Sequence, residues 1–264
     1  KYNFETAASE PAAVLSNPAI NTVFIATRHN SHARLVCDSL KAGKHVCVEK
    51  PLCITLDELA EIEALYRSLG ARAPLLMVGF NRRFAPHIIR LRRLLGTVRA
   101  PKAMVMTVNA GAIPPDHWTQ EREIGGGRII GEGCHFIDLL RFLAGSPVAS
   151  VSTAKVPPDG ATVTLTFEDG STGTVHYFSG GHKSYPKERL SVFCGGRVLD
   201  LDNFIRLTGW GWPGFKKMNL WRQDKGNHAC VAAFLAAIRS GGPSPIPFAE
   251  IIEVSRVTIE AESR

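Results

Sequence analysis

The chain lacks any apolar run approaching the roughly 20 residues that a membrane-crossing helix needs, and it has no C-x-x-C pair, no internal repeat and no low-complexity tract. The first absence argues against a membrane span, and the second against a clustered zinc site or a redox pair. The six cysteines (Cys37, Cys47, Cys53, Cys134, Cys194 and Cys230) sit mostly inside apolar segments. That is the usual place of reduced thiols in a cytoplasmic protein. A glycine-rich phosphate-binding turn after an early strand is also missing, no signal-peptide pattern opens the chain, and the sequence starts at Lys1 without an initiator Met.

What remains is an ordinary globular balance. With 264 residues, 45% hydrophobic and 21% charged, the chain is long enough for a large core and two domains. The net charge of +7 raises nucleic acid as a partner. The densest basic stretch is Arg82, Arg83, Arg90, Arg92, Arg93, Arg99 and Lys102, but Ile88, Ile89, Leu91, Leu94 and Leu95 interleave it at helical spacing. Much of that charge is therefore the wet face of an amphipathic helix. Neither nucleic acid nor membrane is expected; an anionic small molecule or a partner domain uses the same charge.

The first part alternates strand and helix signals, the pattern of a parallel sheet covered by helices. Thr22–Ala26, His45–Val48 and Leu75–Phe80 read as buried strands. Between them, Ser31 opens a helix that Gly43 stops, and the pair Thr55 and Glu58 forms a capping box for a helix reaching Leu69. From Ala103 the character changes. Ala103–Asn109, Val148–Val156, Ala161–Phe167, Thr172–Phe178, Leu190–Cys194 and Val198–Leu201 alternate polar and apolar residues between glycine-containing turns, as antiparallel strands with one covered face do. A helix from about Arg128 to Leu143 interrupts them, and two more follow at Ala229–Arg239 and Ala249–Glu262. The expected architecture is α/β: an incomplete Rossmann-type parallel sheet over residues 1–84, then an α+β domain with a large, mainly antiparallel sheet over residues 85–264, with a linker near Phe80–Pro86.

Three polar clusters directly follow the three buried strands: Thr27 to His32, Glu49 to Pro51, and Asn81 to Arg83. In doubly wound sheets, binding sites gather beyond the C-terminal strand ends, so these clusters converge on one crevice. Lys50, after an apolar strand and before a proline, is held near apolar walls where its ammonium is directional. The alternative is a charged strand end with an ordinary turn proline.

The segments Val23-Phe24-Ile25-Ala26-Thr27-Arg28-His29-Asn30-Ser31-His32, Val48-Glu49-Lys50-Pro51-Leu52, Gly79-Phe80-Asn81-Arg82-Arg83-Phe84 and Gly125-Gly126-Gly127 with His135 and Asp138 carry more than composition. In this order and spacing the chain, from about Glu10 to Glu262, resembles the nicotinamide-dependent sugar oxidoreductases of the Gfo/Idh/MocA family. The resemblance implies NAD or NADP as cofactor, a sugar, inositol or sugar-acid derivative as substrate, and a homo-oligomer formed through the second-domain sheet. It implies that Lys50 binds substrate and assists catalysis and that His135 is the acid/base. It places Thr27, Asn30 and His32 along the nicotinamide ribose, although Asn30 or His32 equally caps the following helix. Glu49, Lys50, Pro51, Asn81 and Arg82 fall at the nicotinamide end, and His117, Trp118 and Arg122 in one wall of the sugar pocket. Arg83 is open to pairing with a surface carboxylate, and Trp210-Gly211-Trp212-Pro213-Gly214 reads as a pocket lid or a packed loop.

Two departures stand out. The family carries an aspartate four residues before the histidine, where this chain has Gly131. Glu132 is adjacent, but one residue turns a side chain about 100° around a helix, so it substitutes only if the helix starts late or bends at Gly131 or Gly133. The glycine-rich turn and the residue that reads the ribose 2′ position are also absent, so the chain looks like most of an oxidoreductase with its front end removed. It is expected to hold NAD or NADP weakly or not at all by itself. The alternative is a noncatalytic or cofactor-deficient binding or assembly module of a larger protein.

Overall fold

A computed structural model describes residues 5–263. The first helix, α1 (Pro11–Leu15), leads into β1 (Thr22–Ile25), α2 (His32–Lys41), β2 (His45–Val48), α3 (Leu56–Leu69) and β3 (Leu76–Val78). The three strands pair in parallel in the order β1-β2-β3. The capping box that opens α3 is present: the Thr55 hydroxyl accepts from the Glu58 N–H at 3.2 Å, while Glu58 Oε2 accepts from the Thr55 N–H at 3.2 Å. These reciprocal bonds satisfy N–H groups that the first helical turn leaves over.

After β3 the chain makes a 3-10 turn over Asn81–Phe84 and enters α4 (Pro86–Leu95). The second lobe follows with β4 (Lys102–Asn109), α5 (Cys134–Ala144), β5 (Val148–Val156), β6 (Gly160–Phe167), β7 (Thr172–Phe178), β8 (Glu188–Cys194), β9 (Arg197–Asp202), β10 (Arg206–Trp210) and β11 (Lys217–Asn219). Its eight strands run in the order β11-β10-β9-β8-β4-β7-β6-β5, with β4 and β7 parallel and every other pair antiparallel. Alternation decides which face is covered: Met104, Met106 and Val108 of β4 and Val163, Leu165 and Phe167 of β6 are buried. Their neighbours Val105, Thr162, Thr164 and Thr166 face the other way.

Two elements differ from the sequence expectation. The Trp210–Gly214 segment is the turn joining β10 to β11, two strands that the alternation did not reveal because β11 is short. Trp212 is buried there, its Nε1 donating to the Val198 carbonyl at 2.9 Å, so it packs against its own sheet and closes no pocket. The final helices α6 (Asn227–Ser240) and α7 (Phe248–Ser263) return to the first lobe. Phe234 meets Phe24 edge-on, Phe248 stacks on Tyr66 at 4.0 Å, and the Ser244 hydroxyl donates to the Leu76 carbonyl at 2.8 Å.

The seam between the lobes is packed shut by ion pairs. Arg83 does not reach the surface: its Nε and Nη2 grip both oxygens of the fully buried Asp138 on α5, and Nη1 meets Glu250 on α7. Arg82, one residue earlier, makes a bidentate pair with the buried Glu188 of β8 at 2.8 Å through Nε and Nη2. Gly226, at φ +82°, lets α6 start against this turn; a Cβ there would lie 2.4 Å from the Asn81 carbonyl oxygen. Removing one partner of a buried pair strands the other charge. Asp138→Ala is accordingly expected to lower the unfolding free energy by about 3 kcal/mol, read by urea denaturation. Arg34→Ala, which breaks the exposed Arg34–Asp38 pair on α2, should change it by less than about 1 kcal/mol. Equal, small losses in both variants would contradict the seam's role.

Candidate active site

Two adjoining cavities open between the lobes beyond the C-terminal ends of the parallel strands. One, of about 350 Å³, is walled by Lys50, His135, Trp118, Tyr177 and Glu132 among others; the second, of about 450 Å³, by Ile25, Glu49, Gly79, Asn81 and Asn227. Arg82 and His135 line both. A further cavity of about 440 Å³ between α3, α7 and β5 lies apart from these residues and holds no histidine or cysteine.

Lys50 leaves the first lobe just after β2 and crosses to the second, its Nζ donating to the Gly131 carbonyl at 2.6 Å. His135, on the first turn of α5, is 7% exposed and stands edge-on to Phe80. Its Nδ1 is buried without a hydrogen-bond partner among the described residues. Burial holds the imidazole well below its ordinary pKa, and the charges of Arg82, Lys50 and Lys225 push the same way. The ring is therefore neutral at neutral pH and able to accept a proton.

Before α5, residues Ile129–Gly133 form a π-helical turn, so the regular helix begins only at Cys134. This late start turns Glu132 toward the cavity. Its Oε2 accepts from the Tyr177 hydroxyl at 2.5 Å and its Oε1 from Lys187 Nζ at 2.7 Å. Those donors keep the carboxyl below its usual range despite burial, which acts in the other direction. The glycines just upstream are required by contact: a Cβ at Gly125 would lie 2.3 Å from the Thr119 Cα. That approach brings Trp118 to the cavity wall.

The remaining sequence-singled residues divide. Glu49 and Asn81 line the second cavity, Asn81 Nδ2 donating to the Lys225 carbonyl at 2.8 Å and to Asn227 Oδ1. Arg82 lines both cavities, but its Nε and Nη2 are already bound to Glu188. His32 is completely buried, its Nδ1 2.6 Å from the Pro51 carbonyl and its Nε2 3.1 Å from the Thr27 carbonyl. It ties the Thr27 loop to the Pro51 turn from inside, so a cofactor cannot touch it. Thr27 is exposed and bonded to Ser31, and the Asn30 N–H donates to the Ile124 carbonyl at 3.0 Å; neither borders the two cavities. His117 is exposed, stacked on Trp118 and bonded to the Thr119 hydroxyl, outside the cavity. Arg122 does not line the Lys50 cavity; it borders a neighbouring depression with Lys155 and Pro158 that shares Gly127 and Arg128 with that cavity.

His29, Arg128, Tyr177 and Lys187 also line the Lys50 cavity and were not singled out. His29 lay inside the flagged loop; it is buried, and its Nδ1 donates to the Gly125 carbonyl at 2.8 Å. Burial lowers its pKa to about 4. Tyr177 is an inward position of a strand, where alternation marks core and cannot separate core from cavity. Arg128 and Lys187 carry no local signal.

Comparison with known proteins agrees with this architecture. Residues 1–80 match the family described as "Oxidoreductase family, NAD-binding Rossmann fold", and residues 92–197 match "GFO/IDH/MocA C-terminal domain". The myo-inositol 2-dehydrogenase of Thermotoga maritima is 28% identical over 79% of this chain and 64% of its own. The inositol 2-dehydrogenase 2 of Paenarthrobacter aurescens is 31% identical over 67% of this chain and 55% of its own. The chain thus spans between half and two thirds of these relatives' length. Among solved structures, a levoglucosan dehydrogenase in complex with NADH and levoglucosan superposes with a TM-score of 0.83 at 20% identity, over 98% of this chain and 82% of that one. An oxidoreductase domain protein of Kribbella flavida gives 0.82 at 24% identity, over 96% and 80%. At these identities the structural likeness concerns the fold.

The buried histidines give stability a pH dependence of known sign. His29 and His135 have lower pKa values folded than unfolded, so below about pH 6.5 the unfolded chain takes up protons that the folded chain refuses. Stability therefore falls on acidification through that point, for His29 down to about pH 4, by about 1.4 kcal/mol per pH unit for each such group. The slope of unfolding free energy between about pH 6 and 5 should drop by one proton's worth in His135→Gln. A wild-type slope of zero would contradict the assignment of neutral, buried imidazoles.

Proposed function

The chain belongs to the Gfo/Idh/MocA oxidoreductase family, and we propose that it acts in NAD- or NADP-dependent hydride transfer to or from a hydroxyl of a sugar, inositol or sugar-acid derivative. The observation that supports this reading is that Lys50 and His135, from different lobes, line one cavity. A nicotinamide fits the crevice, which opens at the ends of three parallel strands and is lined by His135, whose Nδ1 has no hydrogen-bond partner among the described residues. Glu49, Asn81 and Arg82 would hold that end of the cofactor. No glycine-rich turn for the pyrophosphate follows a strand among the described residues.

The nicotinamide, when bound, supplies the acceptor for hydride. The chain's own residues handle the proton and the charge. His135, neutral through burial, accepts the alcohol proton as general base. Lys50 donates to the same oxygen and stabilises negative charge as it develops there. The Gly131 carbonyl fixes the ammonium beforehand, so little reorganisation is needed during reaction. Trp118 offers an apolar ring face for a sugar to stack on.

A second reading, a noncatalytic or cofactor-deficient module, is favoured by Gly131 standing where the family resemblance implies an aspartate. Copies of the chain would pair through the outward face of the large sheet, where Val105, Phe178 and Phe193 are exposed. Sedimentation equilibrium should then show a dimer or larger assembly that Phe193→Lys dissociates; a wild type that sediments as a monomer would remove this pairing. To separate the two readings, hydride transfer is measured on a panel of sugars and polyols with a glycine-rich family segment fused upstream. Lys50→Ala and His135→Ala should each lower kcat by at least about 100-fold with smaller effects on stability. No turnover of any substrate by the fused wild type points to the module.

A further inference from the structure

The lining of the cavity that holds Lys50 has more cations than carboxylates. Lys50, Arg82, Arg128 and Lys187 line it, with Glu132 as the facing carboxylate. Behind the wall, Glu188 serves both Arg82 and Lys225, at 2.8 and 2.6 Å, and Asp159 lies 3.5 Å from Arg128 Nη1. Lys225 borders the adjoining cavity together with Glu49, so around the two cavities the five cations Lys50, Arg82, Arg128, Lys187 and Lys225 face the four carboxylates Glu49, Glu132, Glu188 and Asp159, a surplus of one.

The individual contacts locate the surplus. The hydrogen bond of Lys50 among the described residues goes to a neutral carbonyl. Arg128 is buried and donates through Nε to the Tyr177 hydroxyl and through Nη2 to the Gly111 carbonyl, both at 2.9 Å. Its Nη1 has no hydrogen-bond partner among the described residues, and the 3.5 Å approach of Asp159 is an ion pair without a hydrogen bond. Buried guanidinium and imidazole nitrogens left unpaired are costly unless a ligand meets them. A neutral polyol would satisfy hydrogen bonds and leave the charge standing; an anion answers both. At about 350 Å³ the cavity lies near the lower end of small-molecule sites, the size for one ring.

Resting on the dehydrogenase reading above, we infer that the substrate is acidic: a single-ring sugar or polyol bearing a carboxylate or phosphate, its anionic group held by Arg128 and Lys187 and its reacting carbinol at Lys50 and His135. Arg128, Tyr177, Glu132 and Lys187 form one hydrogen-bonded chain along the wall, so the anion site is built before the ligand arrives. Glu132 opposes the anion, and its bond to Lys187 fixes the ammonium in place.

Calorimetric titration of the chain with D-glucuronate, D-glucose 6-phosphate and D-glucose tests this without requiring turnover. At low salt at least one acid should bind about tenfold or more tightly than glucose, and the margin should shrink as salt rises. The tighter of the two acids identifies the group as carboxylate or phosphate. Lys187→Gln, which keeps a donor beside Glu132 but removes the charge, should remove most of the margin, and Lys187→Arg should restore it. Equal affinity for all three compounds, or no binding of either acid, overturns the inference. Hydride transfer to neutral polyols would still uphold the dehydrogenase reading, so the two fail separately.

Discussion

Two neighbouring guanidiniums hold this molecule in register. Arg82 and Arg83 leave the same turn in different directions, one into Glu188 on the large sheet and the other into Asp138 and Glu250 on the helices. Each is buried, and so are Glu188 and Asp138. A buried ion pair adds little net stability, but breaking one is expensive, so such pairs act mainly to exclude other arrangements. Here the alternatives excluded are those in which the lobes slide or hinge. Lys50 belongs to one lobe and Gly131 and His135 to the other, and their meeting depends on that fixed seam.

The same burial that locks the seam sets the chemistry. His135 lies among cations and away from water, and both effects keep it unprotonated. The glutamate beside Gly131 is kept charged by Tyr177 and Lys187 in the same enclosure. A neutral base next to a fixed ammonium is what removal of an alcohol proton asks for. The thiols, by contrast, are all buried and free, and burial pushes Cys47 and Cys230 up to about 12, which leaves them inert as nucleophiles.

Much of this was legible in the order of residues. The parallel strands and the α3 capping box follow from apolar runs and turn chemistry, and the crevice follows from polar clusters placed just after those strands. Glu132 could replace the missing aspartate only if the helix before His135 started late or bent at a glycine, and where a helix was expected from about Arg128 a π turn over Ile129–Gly133 delays it to Cys134. Other parts depend on long-range contact. Nothing near Arg83 in sequence announces Asp138, 55 residues away, as its partner. His32 resembles a loop residue facing a ligand, yet the fold turns it inward to bridge two carbonyls. Arg122 sits three residues before a glycine turn whose direction only the packed structure decides. Arg128, Tyr177 and Lys187 come from three elements that no local pattern links.

The most direct test is a crystal structure of the chain soaked with a polyol or sugar acid. The account requires one ligand hydroxyl within hydrogen-bond distance of both Lys50 Nζ and a ring nitrogen of His135, with the Lys50–Gly131 contact retained or exchanged for that hydroxyl. A ligand seated in the cavity between α3, α7 and β5, with Lys50 and His135 untouched, would contradict it.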